Sequence, residues 1–172
     1  FGAGRGVALN KNPHKIGERL NMERTFKIIY TSDTHGHIFP VNYAAGCGES
    51  SGLLNLAAQI DKNGNTLVLD GGDSLQGTPL VQYYLAHADE FPHHPVAEAF
   101  NAMGCDYFTL GNHDFNFGYD ALRAYLCAMD GVCLCANVQD LGGALPLLPE
   151  TVHTLKNGLR IGITGIVTDY VN

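Results

Sequence analysis

Three short strings bring together side chains that ligate metals: Ser32-Asp33-Thr34-His35-Gly36, Asp70-Gly71-Gly72-Asp73 and Gly111-Asn112-His113-Asp114. Asp-x-His puts a carboxylate and an imidazole on one side of a tight loop. That mix of hard oxygen and borderline nitrogen suits Mn, Fe, Zn or Co better than Ca or Mg alone. A further carboxylate from Asp73 can bridge two ions about 3.5–4 Å apart, the spacing that clamps both oxygens of an in-line phosphoryl displacement. Asn112 adds a neutral carbonyl oxygen, which binds a metal without adding charge.

Taken singly, each string is weak. A loop His beside an Asp is more often a surface pair, and Gly-Asp is ordinary turn chemistry. Their placement strengthens them, because each follows an apolar run that reads as a strand: 28–31, 66–69 and 107–110. Asp33, His35, Asp73, Asn112 and His113 therefore fall at strand carboxyl ends, where open α/β sheets place their chemistry.

The elements that must carry these loops follow from periodicity. Residues 25–31 turn from alternating to continuously apolar, as a central strand does, and 36–48 read as a loop over the sheet edge. Ser50 and Ser51 predict caps for a helix with Leu53, Leu56, Ala57 and Ile60 on one face, closed by Asn63-Gly64. Pro79 and Pro95 suit the first turns of two more helices, the second closed by Gly104. A strand at 105–110, a helix at 120–129 and a strand at 132–136 complete a β-α-β-α-α-β-α-β order, which predicts a largely parallel sheet. Residues 151–155 and 159–167, joined by Asn157-Gly158, predict a C-terminal hairpin.

With 172 residues and 45% hydrophobic content, the chain can bury one core and is expected to be one domain or most of one. The net charge of −7 and the lack of a Lys/Arg cluster argue against binding duplex nucleic acid. An anionic substrate then needs a local positive centre such as a metal. The five cysteines form no Cys-x-x-Cys pair and read as buried apolar residues in a reducing compartment. No apolar run approaches the roughly 20 residues of a membrane span. Residues 1–21 read as a disordered or non-native leader with Met22 as the true start, which predicts a cytoplasmic protein.

The strings Thr31-Ser32-Asp33-Thr34-His35-Gly36-His37, Gly72-Asp73-Ser74-Leu75-Gln76-Gly77-Thr78-Pro79, His94-Pro95-Val96, 110–118, Ala136-Asn137-Val138 and Gly165-Ile166-Val167-Thr168 together resemble a known family. It is the calcineurin-like metallophosphoesterases, and within it the 5′-nucleotidase and 2′,3′-cyclic-nucleotide 2′-phosphodiesterase group. The resemblance runs from 26 to 172. It implies an α/β fold: an incomplete metallophosphoesterase sandwich, with a largely parallel β-α-β sheet, helices outside and a C-terminal hairpin. It also implies a metal-dependent phosphoric ester hydrolase with two divalent ions (Mn, Zn, Fe, Co or Mg). By position, Asp33 and His35 would sit on one ion, Asp73 between the two, and Asn112 on the other. His113 would stabilise the transition state and help the leaving oxygen depart, and the nucleophile would be water or hydroxide held by the ions. The implied substrates are 2′,3′-cyclic nucleotides and 3′- or 5′-nucleotides. Ser74, Gln76 and Thr78 would shape their loop, and His37 would line the site or stand in solvent.

The chain departs from the family pattern at two places. In 5′-nucleotidases proper an Asp stands three residues after the catalytic His; here it is Asn116, which can fix the His113 ring by hydrogen bonding but cannot raise its pKa as a carboxylate would. This favours cyclic and 3′-nucleotide substrates. The family's downstream lone His and Gly-His-x-His are missing, and the one later histidine, His153, reads as a strand-surface residue. Residues 22–172 are thus expected to be the amino-terminal part of a truncated domain, with the missing C-terminal part of the same polypeptide as its partner. Two alternatives stand beside this: a non-catalytic metal- or nucleotide-binding module, and a relative acting on UDP-sugars or sulfur esters. Family members are often exported, so the resemblance also admits a periplasmic or secreted location.

Overall fold

The computed structural model describes residues 23–170, and the expected leader and its boundary at Met22 lie outside them. In chain order the elements are β1 (Lys27–Thr31), β2 (Val41–Asn42), β3 (Cys47–Gly48), α1 (Leu53–Ala57), β4 (Thr66–Asp70), α2 (Pro79–Ala86), α3 (Pro95–Met103) and β5 (Tyr107–Phe108). They continue with α4 (Tyr119–Ala128), β6 (Val132–Leu134), β7 (Leu147–Leu148), β8 (Glu150–Thr154) and β9 (Arg160–Thr164). Single 3₁₀ turns occupy Ala88–Glu90 and Asn112–Phe115. Strands β1, β4, β5, β6 and β7 pair in that order, all parallel, as the alternation of strands and helices predicts.

Local chemistry sets the helix ends. Thr78 accepts from the Val81 amide ahead of Pro79, so α2 begins there. In α3 the cap is His94, whose Nδ1 accepts from the Ala97 amide at 3.5 Å, and Gly104 closes the helix at φ 68°. The apolar stripe of α3, Val96, Phe100 and Met103, packs with Leu122, Tyr125 and Leu126 of α4 over the sheet face carrying Val68 and Phe108. Fully burying a side chain such as Phe100 contributes roughly 1.5–3 kcal/mol.

The opposite sheet face carries Ile28, Tyr30, Leu67, Leu69 and Tyr107, and the antiparallel pair β8–β9 covers part of it. Tyr107 Oη lies 3.0 Å from His153 Nδ1, the Lys156 amide donates to the Gly64 carbonyl at 2.8 Å, and the Ala136 amide donates to Gly165 at 2.8 Å. His153 is therefore a stitch between hairpin and sheet. Beneath the hairpin Leu67 is fully buried, whereas Tyr30 on β1 is 63% exposed.

Several sequence expectations need correction. Ser50 and Ser51 cap nothing: the cap of α1 is Gly52, and the first amides of the helix donate to the carbonyls of His37 and Ile38. Because a preceding loop supplies those acceptors, the helix starts later than its serines suggest, and it ends at Ala57 rather than near Asn63. The stretch 36–48 contains the small β2–β3 ribbon. Among the described residues β1 is an edge strand: a continuously apolar run shows that both faces are apolar, not that both edges are paired. The fifth strand, β7, has too short a run to be read. The hairpin connection puts only Gly158 in the left-handed region (φ 79°), and β9 stops at Thr164. Cys47 and Cys127 are exposed, while Cys105, Cys133 and Cys135 are buried as expected.

Candidate metal centre

The carboxyl ends of β1, β4 and β5 are tied to one another through their main chains. The Asp33 amide donates to the Gly72 carbonyl and the His35 amide to the Asp73 carbonyl, both at 2.9 Å. These contacts force side chains from two loops toward one point. Ligand atoms of Asp33, His35 and Asp73 all lie within 4.8 Å of one another. Among the described residues the same three are the only non-glycine residues with positive φ, at 54°, 47° and 57°. Left-handed backbone costs an L-residue about 1–2 kcal/mol. Such strain gathers at functional sites, where the surrounding structure over-determines it.

The third loop joins through Asp73. Its Oδ1 accepts from the His113 amide at 2.8 Å. The Gly111 backbone passes so close that a Cβ there would lie 2.1 Å from the same oxygen. Asn112 opens the 3₁₀ turn that bears His113, and the His113 ring centroid stands 5.5 Å from that of His35. Asn116 Nδ2 donates to Gln76 Oε1 and lies 3.1 Å from His113 Nδ1. Asp33, His35, Asp73, His113 and Asn116 thus form one cluster, with Asn112 on the turn adjoining it. A cleft of about 540 Å³ opens beside Asp33, lined by His37, Ser50, Ser51, Asn55 and Gln59 among others. His37 is exposed on its wall.

Two buried carboxylates beneath the cluster escaped the sequence reading. Asp114 Oδ1 accepts from the Ser74 and Leu75 amides, and its Oδ2 from the Asp73 and Gly111 amides, at 2.8–3.0 Å. One side chain thereby fastens the second loop to the third. Burial pushes this carboxyl up, against the pull of four N–H donors. Asp70 accepts from the Thr31 hydroxyl at 2.6 Å, the Gly72 amide at 2.9 Å and the Ser74 hydroxyl at 3.1 Å. Burial raises it to about 6 despite these bonds. Both residues belong to the strings singled out above, yet nothing local distinguishes an Asp that binds buried amides from one that faces a ligand.

The profile of the calcineurin-like phosphoesterases matches residues 26–168, and the chain belongs to this family. It is 32% identical over 158 residues to the trifunctional nucleotide phosphoesterase protein YfkN of Bacillus subtilis, covering 81% of this chain and 11% of that protein. The crystal structure of the calcineurin-like phosphoesterase YfkN from that organism superposes with a TM-score of 0.69 over 81% of this chain and 47% of that one. A 2′,3′-cyclic-nucleotide 2′-phosphodiesterase/3′-nucleotidase of Salmonella typhimurium is 31% identical over 156 residues, 82% of this chain and 24% of its own length. The chain thus spans about a quarter or less of the length of these two curated relatives. Among the described residues no helix is long and apolar enough to cross a membrane.

The family implies divalent metal ions, and the cluster suits them. Two carboxylates and an imidazole converge without a cationic side chain among them. His35 Nδ1 donates to the Gln76 carbonyl at 2.6 Å, the kind of bond that orients a ligating imidazole and frees its other nitrogen.

Proposed function

We propose that the polypeptide containing this chain hydrolyses phosphoesters of nucleotides with two divalent cations, and that 2′,3′-cyclic and 3′-nucleotides are its preferred substrates. The observation that carries the reading is the convergence of Asp33, His35 and Asp73 on one point beside His113. The names of the relatives support the nucleotide class, and Asn116 in place of an acidic residue supports the cyclic branch.

Asp33 and His35 would hold one cation, Asp73 would be shared, and Asn112 would serve the other. When bound, such ions neutralise phosphoryl oxygens and lower the pKa of water toward neutrality. The protein's own part is positioning. Asp114 clamps the second and third loops, and Asp73 Oδ1 accepts from the His113 amide, so Asp73, Asn112 and His113 are held in one hydrogen-bonded frame. His113, on the third loop with its amide on Asp73 Oδ1 and its ring beside that of His35, would donate a hydrogen bond to the reacting phosphoryl or leaving oxygen. Asn116 holds its ring through Nδ1. The cleft beside Asp33 falls in the size range of small-ligand sites and offers neutral hydroxyls and amides to the rest of the substrate.

The test uses the intact polypeptide with Mn²⁺ on 2′,3′-cAMP and on bis-p-nitrophenyl phosphate. Both are expected to be cleaved, and Asp73→Ala is expected to lower kcat by at least about a hundredfold, more than loss of an outer-shell partner costs. Turnover unchanged in Asp73→Ala overturns the reading.

A further inference from the structure

We infer that Gln76 is a positioning residue that sets the tautomers of both histidines at the centre, in opposite senses. The inference rests on the function proposed above only for its catalytic consequence; the tautomers themselves follow from hydrogen bonding.

At His35 the main chain of Gln76 acts. A carbonyl oxygen can only accept, so the 2.6 Å contact places the His35 proton on Nδ1 and leaves Nε2 with its lone pair, the form a metal ligand needs. The approach depends on the next residue. Gly77 has φ 152°, and a Cβ there would lie 2.6 Å from both the His35 carbonyl oxygen and its Cβ.

At His113 the side chain of Gln76 acts, through Asn116. Gln76 Oε1 accepts from Asn116 Nδ2, and the same Nδ2 lies 3.1 Å from His113 Nδ1. With an N–H pointed at it, that ring nitrogen is an acceptor, and the His113 proton resides on Nε2. The opposite amide orientation is the less favourable one. Asn116 Oδ1 is buried without a partner. Turning the amide over would leave two N–H groups unpaired in that position instead of one carbonyl oxygen, and orphaned buried N–H groups are the rarer defect. In this orientation Gln76 Oε1 is the acceptor for the other Asn116 N–H.

One residue thus prepares one imidazole as a lone-pair ligand and its neighbour, 5.5 Å away, as a hydrogen-bond donor through Nε2. An Asp at position 116 would select the opposite His113 tautomer without help from position 76, which explains what a glutamine adds to a loop facing an asparagine.

The deciding experiment is ¹⁵N spectroscopy of the intact polypeptide, metal-free, with labelled histidine rings, His113 being assigned by its loss in His113→Gln. The expected spectrum shows His113 protonated at Nε2 and bare at Nδ1. Gln76→Met, which keeps the volume without the acceptor, is expected to mix the two tautomers, and Gln76→Glu, which keeps an acceptor, to restore the single one. A single Nε2–H form in Gln76→Met, or a parent protonated at Nδ1, overturns the inference whether or not the protein is active. In the active, metal-loaded protein, Gln76→Met is expected to lower kcat on a phenyl phosphoester by about tenfold or more while barely changing the p-nitrophenyl ester, whose leaving oxygen needs no donor. Equal losses on both esters would reduce Gln76 to a loop-shaping residue. Absence of any turnover in the parent tells against the proposed function, while the tautomer populations still decide the role of Gln76.

Discussion

The helix-covered face of the sheet and its carboxyl edge are built on opposite terms. Between the sheet and α3 and α4, Val68, Phe108 and Leu110 are buried among apolar neighbours that include Phe100 of α3. At the edge a few residues away, Asp70, Ser74 and Asp114 are equally inaccessible yet satisfied by amides and hydroxyls, and the loops above them hold residues in left-handed conformations. The face draws its stability from area removed from water. The edge draws order from hydrogen bonds with little to spare, because each buried donor left unpaired costs about twice what one bond gains. A site of converging carboxylates is thereby held together by a carboxylate that never reaches it.

The largest expected effect breaks that edge. Asp114→Ala strands four backbone N–H groups, and urea unfolding of the intact polypeptide should show a loss of about 5 kcal/mol or more together with loss of metal binding. Phe100→Ala tests the face. A destabilisation of about 3–5 kcal/mol with metal affinity nearly unchanged is expected, and equal damage to metal binding would show that the two regions are not separable.

Stability against pH sharpens the contrast, because burial raises the carboxyls of Asp70 and Asp114 at the edge and lowers His94 in the helical layer. Asp70 at the edge is raised by burial to about 6. The native state therefore holds a proton that the unfolded chain has released, and this contribution is present near pH 4 and lost as pH rises through about 6. His94, wedged between Tyr84 and Tyr125 in the helical layer, is lowered by burial to about 4. The unfolded chain takes up a proton there first, so this contribution is full above the ordinary histidine range and fades as pH falls toward 4. The two slopes oppose each other. Denaturation between pH 4 and 6.5 should show a steeper loss toward acid in Asp70→Asn and a shallower one in His94→Gln than in the parent.

The smallest effect is a gain. Asp33→Asn removes one of two like charges gathered in the cluster, at a position where asparagine tolerates φ 54°. The metal-free protein should become more stable by up to about 1 kcal/mol while metal affinity falls. Thermal denaturation with and without Mn²⁺ checks both signs.

The alternation of apolar runs with turn residues was enough to read the parallel sheet, the helices begun by Pro79 and Pro95, and the hairpin around Gly158, because each of these is coded by near neighbours. The side-chain types able to bind a cation in Asp33-Thr34-His35 and Gly111-Asn112-His113 were legible for the same reason. What escaped was set by distant partners. Ser50 and Ser51 lost their capping role to carbonyls of His37 and Ile38. The edge position of β1 depended on pairing rather than composition.

The kind of chemistry was therefore written in spacings of two to four residues, where side-chain type alone limits what can be bound. Which groups share a point was left to contacts across some forty positions: Asp114 to the Asp73 amide, Asn116 to Gln76, His35 to the Gln76 carbonyl. Such bonds form only when parallel strands bring their ends side by side, and a backbone amide, identical in every residue but proline, leaves no trace in the sequence of the carboxylate it will meet.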